Sequence, residues 1–380
     1  MVEVLNTLKE FRSINASFPY TYPIQQLKKQ GKKVIGWACN YVPEEIPYAA
    51  GMIPLRLTAD SKELSLEYSN AHMTIHCCSF TRSCLEMILK NQYDFLDGFV
   101  TCTTCDPMRY LFEHYRRYHP IPFIHLIDVP GKFTPRTLGF YQRELTNFKE
   151  RLEEHFNVKI TEQDLRNAID VYNKTRILIK KLYELKKSDT PPISGAETLE
   201  VMNAAVRMPK ADFNRSMESL LEEISAKKRA LQGKTRIMLI GSILQNHEFI
   251  KGIEALGGLV VTDALCNGAR YMWDTIDAND SSPLQAISKR YLNHFPCPRM
   301  SPWEDRIERI INMAKEYRVD GVVAETIRYC VPHDYNLPLV RDRLEEQGIP
   351  MLALDVEYGM TATGQVRTRV QAFIEMLTNR

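Results

Sequence analysis

An ordered series of short motifs occurs twice in this chain, and it restricts the possible folds more than any other feature. In the first copy Asp97-Gly98 opens an apolar run leading to Cys105, followed by Pro107 and Tyr110. In the second, Asp320-Gly321 opens a run leading to Cys330, followed by Pro332 and Tyr335. Both read C-x-P-x-x-Y. Each continues to an Ile-Pro pair (Ile121-Pro122, Ile349-Pro350) and an apolar run ending in Asp-Val (Asp128-Val129, Asp355-Val356). Upstream, KKVIGWAC…AAGMIPLRL and TRIMLIGS…ALGGLVVTD share one layout. Single dipeptides recur by chance; a series in order does not, so an internal duplication is expected.

Within each copy, short apolar runs alternate with helical patterns, the signature of βαβ units and a parallel sheet covered on both faces. The predicted strands are KKVIGWAC, FLDGFVTC and IPFIHLIDV in the first copy. TRIMLIGS, VDGVVAET and IPMLALDV are their counterparts in the second, where GLVVTD is a further strand laid out as AAGMIPLRL is in the first. Predicted helices include PEEIPYAAG, with Pro43 at its first position, SFTRSCLEMILK, DPMRYLFEHYRRY and the terminal QVRTRVQAFIEML. Between the copies the pattern is almost wholly helical and highly charged, interrupted by the loop SDTPPISG. The expected fold is α/β: two similar doubly wound, flavodoxin- or Rossmann-like lobes joined by a helical region. The expected boundaries are 1–132, 133–232 and 233–380.

The chain of 380 residues suffices for about two or three domains. Lys+Arg total 49 and Asp+Glu 47, a formal net charge of only +2. A dedicated nucleic-acid or membrane-surface binder would need a basic excess, so neither is expected. No apolar run approaches the roughly 20 residues of a bilayer span, and the first residues lack a signal-peptide core. A cytoplasmic location is expected.

Nine cysteines, an odd number in a chain too large to need disulfides, argue against a secreted disulfide framework. Five fall between Cys77 and Cys105, which points to metal or redox chemistry. Ligands of open parallel sheets bind beyond the carboxyl ends of the strands. Cys105 and Cys330 each follow such a strand and precede a helix; Asp106 can cap the first of these helices with Pro107 at its first position. The helix dipole there favours a thiolate. Cys78, at the start of SFTRSCLEMILK, shares this geometry, whereas Cys84 lies inside the helix. Three thiolates from separate loops suit a soft metal site with one open position, such as an iron–sulfur cluster. Zinc remains open, since Cys102-x-x-Cys105 is half a zinc knuckle, and so does a site without metal. Cys39, Cys77, Cys102, Cys266 and Cys297 read more simply as core or supporting residues. Glu44 and Glu45 read as first-turn acids interacting with a helix dipole. His72, His76, His114, His119 and His125 show no ligand periodicity. There is no phosphate-binding loop, dinucleotide fingerprint or serine-hydrolase elbow.

The runs GWACNYVPEEIPYAAGMIPLRL, HCCSFTRSCLE, YDFLDGFVTCTTCDPMRYL, RYCVPHDYNLPLV and GQVRTRVQAFIEML, in this order over nearly the whole chain, resemble the 2-hydroxyacyl-CoA dehydratase / benzoyl-CoA reductase family. The length resembles that of its smaller, β-type subunit. The resemblance implies a [4Fe–4S] cluster held between two α/β lobes by Cys78, Cys105 and Cys330, with Cys77, Cys84 and Cys102 as alternates. Cys330-Val331 departs from the Cys-Asp of many relatives. It further implies a lyase, an (R)-2-hydroxyacyl-CoA dehydratase, working through a ketyl radical anion of an acyl-CoA. Its partners would be a paralogous α-type subunit and a separate ATP-hydrolysing iron–sulfur activator. Two oxidoreductase branches offer alternatives: a benzoyl-CoA reductase subunit, or a homodimeric protein with a double-cubane [8Fe-9S] cluster that reduces small molecules. A non-catalytic scaffold with core or zinc-bound cysteines is the reading from a different class.

Overall fold

The two motif series fold into two wholly parallel four-stranded sheets with the same strand order. The computed structural model describes residues 5–59, 65–227, 229–280, 282–360 and 364–380. In the first sheet β1 (Val34–Trp37), β2 (Ile53–Arg56), β3 (Gly98–Cys102) and β4 (Phe123–Ile127) lie in the order β2-β1-β3-β4. In the second, β5 (Thr235–Gly241), β6 (Gly258–Ala264), β7 (Gly321–Ile327) and β8 (Met351–Val356) lie in the order β6-β5-β7-β8.

The repeated Asp-Gly has one physical cause in both lobes. Asp97 accepts a hydrogen bond from the Val34 N–H at 2.8 Å, and its own N–H donates to the Val34 carbonyl at 2.9 Å. Asp320 makes the same two bonds with Arg236, at 2.6 and 2.8 Å. The aspartate thus sets the register of the central pair before the strand begins. The following glycine is demanded by crowding: a Cβ on Gly98 would lie 3.0 Å from Ile35 and Phe123, and one on Gly321 2.7 Å from Leu377.

Between the lobes run the helices Pro135–Phe156, Glu162–Glu184, Gly195–Ala205 and Lys210–Lys227. The first three begin with capping boxes, Thr134 with Thr137, Thr161 with Asp164 and Ser194 with Glu197, which satisfy backbone N–H groups that a helix start leaves unpaired. The helix Asn6–Ala16 packs on Gly195–Ala205 and Lys210–Lys227, and Glu223 accepts from the backbone of Asn6 and Thr7. One apolar core includes Val100 and Phe123 of the first lobe, Phe148 and Leu182 of the helical region, and Met238 and Val322 of the second lobe. Burying each such side chain contributes about 1.5–3 kcal/mol. Among the described residues, no helix is long and apolar enough to cross a membrane.

Two helix starts differ from expectation. The helix expected from Pro43 begins at Glu45, with Glu44 as its N-cap, because a turn closed by the Val42 N–H and the Cys39 carbonyl occupies the preceding residues. In the helix Asp106–Tyr118 the N-cap is Cys105 itself, and Asp106 takes the first position with Pro107 behind it.

Candidate functional site

Residues just past the carboxyl ends of both sheets line one cavity of about 490 Å³. The first lobe supplies Cys39 after β1, Arg56 at the end of β2 and Cys105 after β3, with Cys77 and Cys78 from the start of the helix Ser79–Leu89. The second supplies Ser242 after β5, Cys266 after β6 and Cys330 after β7, with Cys297 from the loop before the helix Glu304–Glu316. Seven of the nine cysteines therefore face one space. The three predicted from sequence, Cys78, Cys105 and Cys330, are all helix N-caps on this wall. Cys39, Cys77, Cys266 and Cys297, expected to be core or supporting residues, line the cavity as well. The alternates Cys84 and Cys102 do not: both are fully buried, Cys84 inside the apolar core and Cys102 behind Cys39. Cys84 lies inside the helix Ser79–Leu89, and Cys102 ends β3 with its thiol turned to Cys39.

The expectation that helix dipoles would lower the thiol pKa values does not hold. Burial, reinforced by Cys78, pushes Cys105 and Cys330 well above the ordinary thiol range, and burial also raises Cys78. Burial raises Cys77 to about 11. The exception is Cys39, which a hydrogen bond from Cys102, against burial and with help from Thr104, brings down to about 6. Its backbone is left-handed at φ 81°, an unusual conformation for a residue with a side chain. Cys105 and Cys330 both interact electrostatically with Cys78, whereas Cys266 interacts with Cys297 and Cys39. Cys105 also interacts with Cys39 and Cys297, and Cys330 with Cys266 and Cys297, so the thiols form one continuous group, within which Cys78, Cys105 and Cys330 make one possible set of three and Cys39, Cys266 and Cys297 another. Each draws two thiols from one lobe and the third from the other.

A cationic layer backs these sulfurs. Arg270 is buried and donates to the Cys266 sulfur at 3.3 Å; the ionisable groups that face it are Cys266, Cys297 and Tyr41. Arg56 donates to the Cys266 carbonyl at 3.3 Å and lies 5.0 Å from the Trp37 ring centroid. The Nε–H groups of Arg56, Arg270 and Arg306 are buried without a partner among the described residues. Buried guanidinium groups call for anionic contents nearby. The loop carrying Cys266 is tightly held. Asp263 accepts from the N–H groups of Leu265 and Ala269, Asn267 bonds both backbone groups of Leu244, and Asn40 donates to the Cys266 carbonyl at 2.6 Å.

A mononuclear zinc ion would need its ligands within about 2.3 Å of one point. Among the described residues, no three His, Cys, Asp or Glu side chains gather so. The sulfurs line one wall without converging on one point, which is compatible with a cluster that takes each thiolate on a different iron. Buried thiols, unpaired guanidinium N–H groups and this spacing fit an anionic iron–sulfur centre.

Glu44 and Glu45 are not solvated first-turn acids. Both are fully buried in a network joining the lobes to the helical region. Glu45 accepts from Arg176 at 2.5 Å and from Tyr291 at 2.7 Å; against its burial, Arg176 and Arg290 hold its carboxyl below the usual range. Glu44 accepts from Tyr271 and Tyr172 and lies 3.3 Å from the Lys210 ammonium. Burial pushes Glu44 up and Lys210 down, each towards its neutral form. Of the histidines, His76 lies on the cavity wall, as does His333, which no sequence pattern marked. His125 is buried, and neither ring nitrogen has a hydrogen-bond partner among the described residues.

A family model described as 2-hydroxyglutaryl-CoA dehydratase, D-component, matches residues 39–377. The chain is 26% identical to the (R)-phenyllactyl-CoA dehydratase beta subunit of Clostridium sporogenes, over 94% of this chain and 96% of that one. It is 26% identical to one of the benzoyl-CoA reductase subunits of Thauera aromatica, over 91% of both. It is likewise 26% identical to the (R)-2-hydroxyglutaryl-CoA dehydratase subunit beta of Acidaminococcus fermentans, over 97% and 98%.

Proposed function

The chain belongs to the 2-hydroxyglutaryl-CoA dehydratase D-component family, and within it we propose an iron–sulfur redox protein that holds a double-cubane [8Fe-9S] centre and reduces small molecules. A separate ATP-hydrolysing partner would deliver its electrons. The observation supporting this reading is the seven cysteines on one cavity wall, drawn from both lobes and more than a single cubane with an open position would take. Cys78, Cys105 and Cys330 would hold one cubane and Cys39, Cys266 and Cys297 the other. The bound group supplies electrons of low potential. The chain does the rest: Arg270 and Arg56 offset negative charge, the Asn40 and Asn267 bonds fix the Cys266 loop, and Phe80, Met108, Ile243 and Ile327 limit water at the wall.

The names of the relatives favour a second reading, the β-type subunit of an (R)-2-hydroxyacyl-CoA dehydratase. There Cys78, Cys105 and Cys330 would hold a single [4Fe–4S] cluster and a paralogous subunit would complete the enzyme. The Thauera relative supports the reductase version of the same arrangement. Iron and acid-labile sulfide per chain after anaerobic purification, with the oligomer determined on the same sample, decide between them. About eight irons per chain in a homodimer supports the double cubane; about four beside a second polypeptide supports the dehydratase or the benzoyl-CoA reductase. Zinc, or no metal after reconstitution, overturns both.

A further inference from the structure

Behind the cavity wall of the second lobe lies a buried acid. Glu325 on β7 is 2% exposed and pairs in register with Gly241 of β5 and Leu354 of β8. A Cβ on Gly241 would lie 1.9 Å from the Glu325 backbone oxygen and 2.9 Å from its Oε2, so this strand end leaves a slot that only glycine permits, and the carboxyl occupies it. Among the described residues, only the backbone N–H and hydroxyl of Ser242 favour its ionised form. Glu325 Oε2 and the Ser242 hydroxyl are each buried without a hydrogen-bond partner among the described residues, the hydroxyl near enough to act on the carboxyl, and Ser242 lines the cavity. Leu239, Val323 and Leu354 around it belong to an apolar cluster completed by the helices His247–Glu254 and Gly364–Thr378. No charged side chain of β5, β8 or those helices acts on Glu325. Burial therefore raises it to about 8, and it holds a proton near neutrality. A glutamine would fill this slot without that burden, so the titratable group is what distinguishes the position.

We propose that Glu325 is a positioning residue that supplies protons to the cavity through the Ser242 hydroxyl. When a small molecule in the cavity has gained an electron, the Glu325 O–H breaks, its proton passes to Ser242 Oγ, and the hydroxyl releases its own proton to the reduced molecule. Glu325 is left as a carboxylate and is reprotonated from solvent; the electron comes from an external one-electron reductant of low potential. Without substrate, reduction of the centre draws a proton onto Glu325 wherever the carboxyl is ionised beforehand, that is, above about pH 8.

This rests on the iron–sulfur reading above, and the test keeps the two apart. In metal-free protein, the infrared difference between the unaltered chain and Glu325→Gln should show a protonated carboxyl band that is present at neutral pH and lost above about pH 8. Its absence at neutral pH overturns the proposal. In anaerobically reconstituted protein, a titanium(III) citrate titration followed by electron paramagnetic resonance should give a midpoint potential that falls by one proton per electron above about pH 8 and is flat in Glu325→Gln. Ser242→Ala, which removes a hydroxyl stabilising the carboxylate, should move the onset of that fall to higher pH and serves if the glutamine variant does not fold. Equal slopes at full iron loading, or an unmoved onset, overturn the role of Glu325 and leave the cluster reading intact. Failure to take up iron overturns that reading and, with it, this one.

Discussion

The two lobes share a frame and differ in the residues they set upon it. Val100 pairs with Trp37 in the first sheet as Val323 pairs with Leu239 in the second, so Cys39 corresponds to Gly241 and Cys102 to Glu325. Likewise His125 corresponds to Leu352 across the outer strand. At the matching strand ends, one lobe places a thiol supported by a second thiol, and the other a glycine covered by a carboxylic acid. Both still begin their central pair with the same Asp-Gly bonds. Backbone pairing at the amino ends preserves the architecture, while the carboxyl ends, which pair with nothing beyond, are free to diverge in chemistry.

The strongest challenge to this comparison is to remove one thiol from each set. Cys330→Ser and Cys39→Ser should each lower reconstituted iron by about half, and the double variant should lose nearly all of it. Iron unchanged in Cys39→Ser would reduce the site to a single cluster. The buried bridge between the lobes comes next. Glu45→Gln strands Arg176 in the core and should cost about 3–5 kcal/mol in urea unfolding. Removing both charges with Glu45→Leu and Arg176→Met should recover much of that loss. Exchanging the matched strand-end residues gives an asymmetric result: Gly241→Ala drives a methyl into the Glu325 carbonyl and should cost ~3 kcal/mol, whereas Cys39→Ala in metal-free protein should cost under ~1 kcal/mol. Thermal unfolding of the two variants side by side measures this.

A pH-dependent difference concerns His125. Burial holds it neutral and brings it down to about 4, below the ordinary value near 6.5 that it regains on unfolding. The unfolded chain then binds more protons between those values, so stability falls as pH drops through that window, by roughly 2 to 3 kcal/mol at about pH 4.5. His125→Leu, which installs the residue of the second lobe, should flatten that part of the profile. An unchanged slope would show that His125 finds water or a partner in solution.

What could be read from sequence was what local chemistry dictates. Asp97 and Asp320 bond to the adjacent strand, and Cys78, Cys105 and Cys330 sit at helix starts marked by the residues that follow, so both patterns are written in consecutive residues. Cys266 and Cys297 carry no such mark; only the meeting of the two lobes brings them to Cys39. The rule for first-turn acids failed at Glu44 and Glu45 because their partners Lys210, Arg176 and Tyr291 come from the helical region and the far lobe. Burial, which no single segment determines, also reversed the expected effect of the helix dipoles on the thiols.

Neither set of three thiols is complete within one lobe, and this bears on ancestry. A half-length forebear with one lobe could have offered at most two sulfurs of either set, too few to retain a cluster. On the iron–sulfur reading proposed above it would have had to work as a pair of identical chains, and a duplication joining two copies end to end would make that partnership permanent. Afterwards each half could lose what the other kept, and a position once shared could become a thiol on one side and an acid on the other.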